Sequence, residues 1–257
     1  MSLLLRIEHD GGVVTYQSPR LRERGIVHAF STRLGGISRG AYASLNLGPL
    51  TKGAGDDNTA IAENYRRLRR ALGVERLPRV ECRQVHGGEV WRPRQALVRL
   101  ADAPCADAIV CDVPGRLLVI RTADCVPVLL ACDDQVAAVH AGWRGVVADV
   151  VPHAVAAMRG PVTAAIGPAI GVEHFEVGPE VAAAFEAHGL GEAVDHGRGD
   201  KPHIDLVRAV TAQLQRAGVA EIDTTDRCTY RDAGEFFSHR RDAGVTGRMA
   251  AVIATRG

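Results

Sequence analysis

Val126-Pro127-Val128-Leu129-Leu130-Ala131-Cys132-Asp133-Asp134-Gln135-Val136-Ala137-Ala138-Val139-His140 contains two apolar runs separated by a pair of aspartates. Short runs rich in Val and Leu read as strands, and the acidic pair reads as the turn of a hairpin. With Asp133 and Asp134 in the turn, residue 132 pairs with 135 and 127 with 140. Working outward, residues 106–111 and 117–121 read as two more strands, joined by a turn at Val113-Pro114-Gly115. Residues 162–166 read as a further strand. Helical spacing predicts helices over 146–158, 179–188 and 205–217. Pro152 falls inside the first of these and should kink or restart it. Upstream, Asp56-Asp57-Asn58 offers N-caps for a helix carrying Ile61, Tyr65, Leu68 and Leu72, which Gly73 closes. The glycine-rich segment 33–40 and Ser44-Leu45-Asn46-Leu47-Gly48 have no helical period and read as loops, as does 189–201 on the surface. Hairpins with helices between them argue an α+β fold with a largely antiparallel sheet. No linker or repeat divides residues 1–257, so a single domain is expected.

The 257 residues carry 31 Lys+Arg and 30 Asp+Glu, a formal net charge of +1. That balance argues against a nucleic-acid partner, which needs a basic excess to neutralise phosphates. Apolar runs such as Leu117-Leu118-Val119-Ile120 are far too short to span a bilayer, so no membrane association is expected. Arg6, Glu8 and Asp10 follow Met1-Ser2-Leu3-Leu4-Leu5 at once, which leaves no signal-peptide core and predicts a soluble, cytoplasmic protein. In that compartment the six cysteines are expected as free thiols, with Cys82, Cys105, Cys111, Cys132 and Cys228 structural.

The chemistry concentrates in Thr122-Ala123-Asp124-Cys125-Val126-Pro127 and Val139-His140-Ala141-Gly142-Trp143-Arg144-Gly145. The hairpin register puts Cys125 one same-face step beyond the partner of His140, a diagonal of roughly 7–8 Å between Cα atoms. A thiolate and an imidazole meeting at a strand end form a nucleophile with its base, or two ligands of a metal. Arg83-Gln84-Val85-His86-Gly87 offers a third member, and one Cys with two His makes a three-ligand zinc set with an open fourth position. A buried cysteine beside two hydrogen-bonded core histidines fits the same spacing. On the residues alone these readings stay open.

Gln84-Val85-His86-Gly87, Thr122-Ala123-Asp124-Cys125 and His140-Ala141-Gly142-Trp143-Arg144-Gly145 together resemble the laccase-domain (YfiH-like) family. The resemblance extends through Ser31-Thr32-Arg33, Gly35-Gly36-Ile37-Ser38, Ser44-Leu45-Asn46-Leu47-Gly48, Ala106-Asp107-Ala108 and Ile166-Gly167-Pro168. It ends with Cys228-Thr229 and Phe236-Phe237-Ser238-His239-Arg240-Arg241, so it covers nearly the whole chain in family order. Members were first described as polyphenol oxidases and are now regarded as purine nucleoside phosphorylases with adenosine deaminase activity. The resemblance implies a four-layer α/β/β/α sandwich and Zn²⁺ held by His86, Cys125 and His140, with Cu²⁺ able to take the same donors. It implies purine nucleosides (adenosine, inosine, methylthioadenosine) and phosphate as small-molecule partners; it gives no oligomeric state. Pro152 departs from the smooth helix expected after Trp143.

With phosphorolysis in view, Arg144, following the Gly142-Trp143 turn, is a candidate bidentate phosphate fork. Arg33, Ser38, Ser238 and His239 are candidates for the same pocket, and Asn46 for the ribose or base edge. Asp107 and Asp124 are candidates for catalytic proton transfer or for orienting a histidine ligand. Arg39, Arg66 and Arg99 read as solvated surface charges. Two other classes remain: a metal-free hydrolase with Cys125 as nucleophile and His140 as base, and a copper-dependent phenol oxidase. The second is poorly supported, because multicopper sites use paired His-x-His ligands and the chain has none. Deamination is expected to be the weaker activity, since the His-x-Glu and Pro-Cys-x-x-Cys patterns of zinc deaminases do not occur.

Overall fold

In the computed structural model, residues 2–48, 55–93 and 103–254 are described; Arg99 lies outside them. The chain runs β1 (Ser2–Leu3), β2 (Leu5–Glu8), β3 (Val14–Gln17), α1 (Pro19–Glu23), β4 (His28–Ser31), α2 (Asn58–Ala71), β5 (Arg79–Glu81), β6 (Val90–Trp91) and β7 (Ala108–Cys111). It continues through β8 (Leu117–Thr122), β9 (Val126–Ala131), β10 (Val136–Ala141), α3 (Trp143–Val147), α4 (Val150–Ala156), β11 (Thr163–Ile166) and α5 (Pro179–Ala187). The last elements are β12 (Val194–Asp195), β13 (His203–Ile204), α6 (Leu206–Arg216), β14 (Glu221–Thr224) and β15 (Met249–Ala254).

The hairpin forms in the expected register. His140 pairs with Pro127 and Val136 with Ala131, and Cys132 N–H donates to the Gln135 carbonyl across the aspartate turn at 3.0 Å. β9 and β10 sit inside a seven-stranded mixed sheet of order β1-β14-β11-β9-β10-β7-β6. A six-stranded sheet has the order β2-β3-β4-β15-β8-β5. The first is evenly mixed, with β1–β14, β11–β14 and β6–β7 pairing parallel, whereas the second is antiparallel apart from β5–β8.

Strand periodicity sorts the side chains into three cores. Val126, Val128 and Leu130 of β9 point outward and are covered by Val150 and Val151 of α4, Phe185 of α5 and Val210 of α6. Leu129 and Ala131 point the other way and meet Leu118 and Ile120 of β8, Phe30 of β4 and Ala251 of β15. The far face of the second sheet, including Leu117, Val119 and Val252, is covered by Ile61, Tyr65 and Leu68 of α2. Both central hairpin strands are therefore buried on both faces, which is why their sequence is apolar at nearly every position.

Three local expectations differ from the structure. The turn at Val113-Pro114-Gly115 does not close a hairpin: β7 pairs with β10 and β6, whereas β8 pairs with β15 and β5. The chain there crosses from one sheet to the other. Apolar periodicity cannot foresee this, because a strand buried on both faces looks the same in either sheet. The helix expected over 146–158 is two helices that begin earlier, at Trp143, so Arg144 rides on the first turn of α3 and not after a loop. The break falls at Asp149, whose φ of 56° is left-handed, three residues before Pro152. Pro152 thus sits in the first turn of α4, where its missing N–H costs no helical bond. Residues 189–201 are mainly exposed, yet β12 within them pairs with β13.

Candidate active site

Cys125 and His140 lie at the open end of the hairpin, on the same strand faces as Leu129 and Ala138, and so at one end of the layer between the sheets. There the apolar filling gives way to a cavity of about 540 Å³. His86 reaches it from the loop after β5, with a left-handed φ of 61°. The ligand-capable atoms of His86, Cys125 and His140 all lie within 4.8 Å of one another. The two imidazoles meet edge to face with centroids 4.9 Å apart. The convergence depends on Gly142, since a Cβ there would stand 2.9 Å from Cys125 Sγ and 3.0 Å from His86 Cδ2.

Asp107 sets this geometry. Its carboxylate is fully buried and accepts from His140 Nδ1–H at 2.8 Å, which leaves Nε2 to face Cys125. The same carboxylate accepts the backbone N–H groups of Val85, His86 and Gly87 at 3.1, 3.0 and 2.7 Å. One side chain thus fixes both the tautomer of one imidazole and the loop that presents the other. Burial pushes the Asp107 carboxyl up, and the bonds from His140 and the loop outweigh it, leaving it below its ordinary value.

Burial alone would raise the Cys125 thiol. His140 and His86 reverse this and bring it down to about 6. Burial likewise opposes charge on His140, but the Cys125 sulfur and Asp107 hold it up at about 9. The pair favours a thiolate facing an imidazolium at neutral pH. A divalent metal takes the place of that proton when thiolate and imidazole ligate it. Thiolate plus two imidazoles is a donor set that suits Zn²⁺ and also Cu²⁺, and Asp107 supplies the carboxylate that such histidine ligands lean on.

Of the other sequence candidates, Asp124, Arg144 and His239 line the cavity. Asp124 has a left-handed φ of 91°, and both its oxygens are engaged, one by Thr229 Oγ1 at 2.7 Å and one by Arg240 N–H at 2.7 Å. It ties the Cys125 turn to the C-terminal loops. The guanidinium of Arg144 stacks on the Trp143 ring, 4.3 Å from its centroid. Arg33, Ser38, Asn46 and Ser238 do not reach the cavity. Arg33 donates to the carbonyls of Ala43 and Ala233 and lies over Phe237. Ser38 donates to Asp56 at 2.5 Å, Asn46 donates to the same carboxylate, and Ser238 accepts from Arg241 N–H. These four are loop organisers whose side chains bond to surrounding backbone groups and to Asp56 and Asn64.

Sequence reasoning missed Arg121 and Arg248, two half-buried arginines of the cavity, and its apolar wall of Ile170, Phe175 and Leu206. Arg121 ends a predicted strand and Arg248 stands just before β15, which the sequence reading did not anticipate, and neither position carries a local signal. Cys228 is buried and accepts N–H groups from Gly171 and Arg231. All six cysteines are free. Among the described residues no helix is long and apolar enough to cross a membrane.

The family described as multi-copper polyphenol oxidoreductase laccase matches residues 27–256. The chain belongs to this family. Among its relatives, a protein of Deinococcus radiodurans named purine nucleoside phosphorylase is 42% identical over 253 residues, covering 94% of this chain and 93% of the relative. Purine nucleoside phosphorylase YfiH of Escherichia coli is 39% identical over 242 residues, covering 90% and 94%. The crystal structure of YlmD from Geobacillus stearothermophilus superposes with a TM-score of 0.85 at 32% identity, covering 98% of this chain and 99% of that one. Mixed sheets flanked by helices are thus the fold of this family.

Proposed function

We propose that the protein is a zinc-dependent purine nucleoside phosphorylase acting on adenosine, inosine and methylthioadenosine, with weaker adenosine deaminase activity. The observation that carries the reading is the convergence of His86, Cys125 and His140 in a cavity that also holds arginines, in a chain whose relatives are named purine nucleoside phosphorylases. His86, Cys125 and His140 would hold the metal, and bound there it supplies Lewis-acid charge at the cavity floor. In phosphorolysis a phosphate oxygen bonds to the ribose C1′ as the bond from C1′ to the purine nitrogen breaks, and the purine leaves with a proton. The chain's task is to bind and aim both partners. The wall of Trp143, Ile170, Phe175 and Leu206 is apolar and aromatic, which suits a purine face. Arg144 and His239 stand at the exposed rim, where they contact the substrates as these enter.

A second reading has its own observation in favour. Cys125, His140 and Asp107 form a thiol, an imidazole and a carboxylate in series, the arrangement of a metal-free cysteine hydrolase. Chromatography of products from adenosine or inosine, with and without inorganic phosphate, separates the two. Free base and ribose 1-phosphate that form only with phosphate, and are lost in His86→Ala, support the phosphorylase. Base release without phosphate dependence marks a hydrolase. No nucleoside turnover, in protein that elemental analysis shows to be metal-free, returns the site to the cysteine reading.

A further inference from the structure

Five arginines line the cavity: Arg83, Arg121, Arg144, Arg240 and Arg248. Arg83, Arg144 and Arg240 are exposed at its rim, whereas Arg121 and Arg248 are half-buried. Arg121 is neutralised by Glu81, which it contacts at 2.5 Å. Arg248 is different. Its side chain donates through Nη1 to the carbonyls of Thr246 and Gly247, at 3.0 and 2.9 Å. Among the described residues no carboxylate hydrogen-bonds or ion-pairs with it. A guanidinium has five N–H donors, so this one keeps donor capacity facing the cavity beside Cys125.

The placement of Arg248 is built by Ser44-Leu45-Asn46-Leu47-Gly48. Arg248 N–H donates to Asn46 Oδ1 at 2.8 Å, and Leu47 N–H donates to the Arg248 carbonyl at 2.9 Å. A Cβ at Gly48 would lie 3.0 Å from Arg248 Cγ, so the glycine is the floor on which the side-chain stem rests. Asn46 is itself held by Asp56 at 3.0 Å and, through its carbonyl, by Asn64 at 2.9 Å. This network reaches no substrate, and its output is the aim of one guanidinium that no carboxylate contacts directly, with Asp124 and Cys125 the nearby groups that favour its charge.

We propose that Arg248 binds the oxyanion that enters the cavity, phosphate in the phosphorolysis described above, and that residues 44–48 are the cradle that positions it. The identity of the anion rests on the phosphorylase reading; the existence of the anion subsite does not. Asn46 and Gly48 are positioning residues, because they act through Arg248. A forked guanidinium grips a tetrahedral oxyanion by two parallel hydrogen bonds, and a half-buried setting strengthens them.

The test is calorimetric titration of inorganic phosphate into the metal-loaded protein, alongside steady-state kinetics with inosine. In Arg248→Gln the Kd for phosphate is expected to rise at least about 10-fold, as loss of a charge-assisted contact requires, with metal content and melting temperature retained. Gly48→Ala keeps the loop's hydrogen-bonding groups and displaces the Arg248 stem. It should raise the phosphate KM several-fold and leave the inosine KM in place. Gly48→Ala also carries the test should Arg248→Gln fail to fold. Phosphate affinity unchanged in folded Arg248→Gln, or in Gly48→Ala, overturns the proposal. Arg248-dependent phosphate binding without base release upholds the subsite and sinks the phosphorylase reading. Phosphorolysis with an unaltered phosphate KM in Arg248→Gln does the reverse.

Discussion

At the residue scale the site turns on two side chains, Cys125 and Asp107. With Cys125 brought down to about 6, the metal-stripped protein should be alkylated by iodoacetamide at a rate that climbs through about pH 6. An ordinary thiol reaches the same reactivity near about pH 8.5. A rate that follows the ordinary thiol would show that the His140 and His86 imidazoles do not act on the sulfur. Cys125→Ser replaces a thiolate by a neutral hydroxyl, so competition with a chromogenic chelator should report zinc affinity lower by more than about 10-fold. Asp107→Asn keeps the shape but loses the charge that orients His140 and gathers the three N–H groups of the 85–87 loop. A drop of about 10–100-fold in metal affinity is expected, with the fold intact by circular dichroism. Full retention of affinity would mean that the hairpin alone aims His140.

At the scale of elements, the β9–β10 hairpin and the start of α3 decide whether the three ligands meet. Gly142 is the N-cap of α3 and lies against both Cys125 and His86. Gly142→Ala would put a methyl carbon where Sγ and Cδ2 already crowd, forcing one ligand aside. The variant should fold, since its φ of −76° suits any residue, but should retain little metal after gel filtration. Metal content equal to the wild type would show that His86 has room to retreat. The hairpin was legible because two aspartates fix the turn, the turn fixes the register, and the register places Cys125 beside His140. The neighbouring turn at Val113-Pro114-Gly115 was misread for the opposite reason. Its flanking strands are buried on both faces, and their partners are chosen by sheets assembled from remote strands. The break at Asp149 was also hidden, because a left-handed aspartate has no sequence period, while Pro152 drew attention to the wrong position.

At the scale of the whole molecule, three cores, one between the sheets and one on the outer face of each, hold the fold. Leu129 has no exposure and faces the second sheet, so Leu129→Ala should cost about 2–5 kcal/mol in urea unfolding. His28 links the fold to pH. Burial holds its imidazole down at about 4; its Nε2 accepts from Ser18 N–H, and its other ring nitrogen meets the Ile26 carbonyl. Above the ordinary histidine pKa both folded and unfolded chains are neutral there, and stability is unaffected. As pH falls below about 6.5, the unfolded chain takes up a proton that the folded chain refuses until about pH 4. Between about pH 7 and about pH 5 this should remove about 2 kcal/mol. The His28→Gln variant should lose that part of the slope, and an identical slope would assign acid sensitivity elsewhere. The sequence by itself determined the α+β class, the hairpin and its register, the helices over α2, α5 and α6, and the meeting of Cys125 with His140. All of these rest on periods and turns within a few residues. The arrival of His86 was legible only by resemblance. Tertiary structure alone decided the crossing between sheets, the commitment of Arg33, Ser38 and Ser238 to backbone carbonyls, carboxylates and N–H groups, and the bond from Arg248 to Asn46, 202 residues away. Contacts between such distant positions leave no local period, because they form only when packing of the two sheets brings the strand ends together.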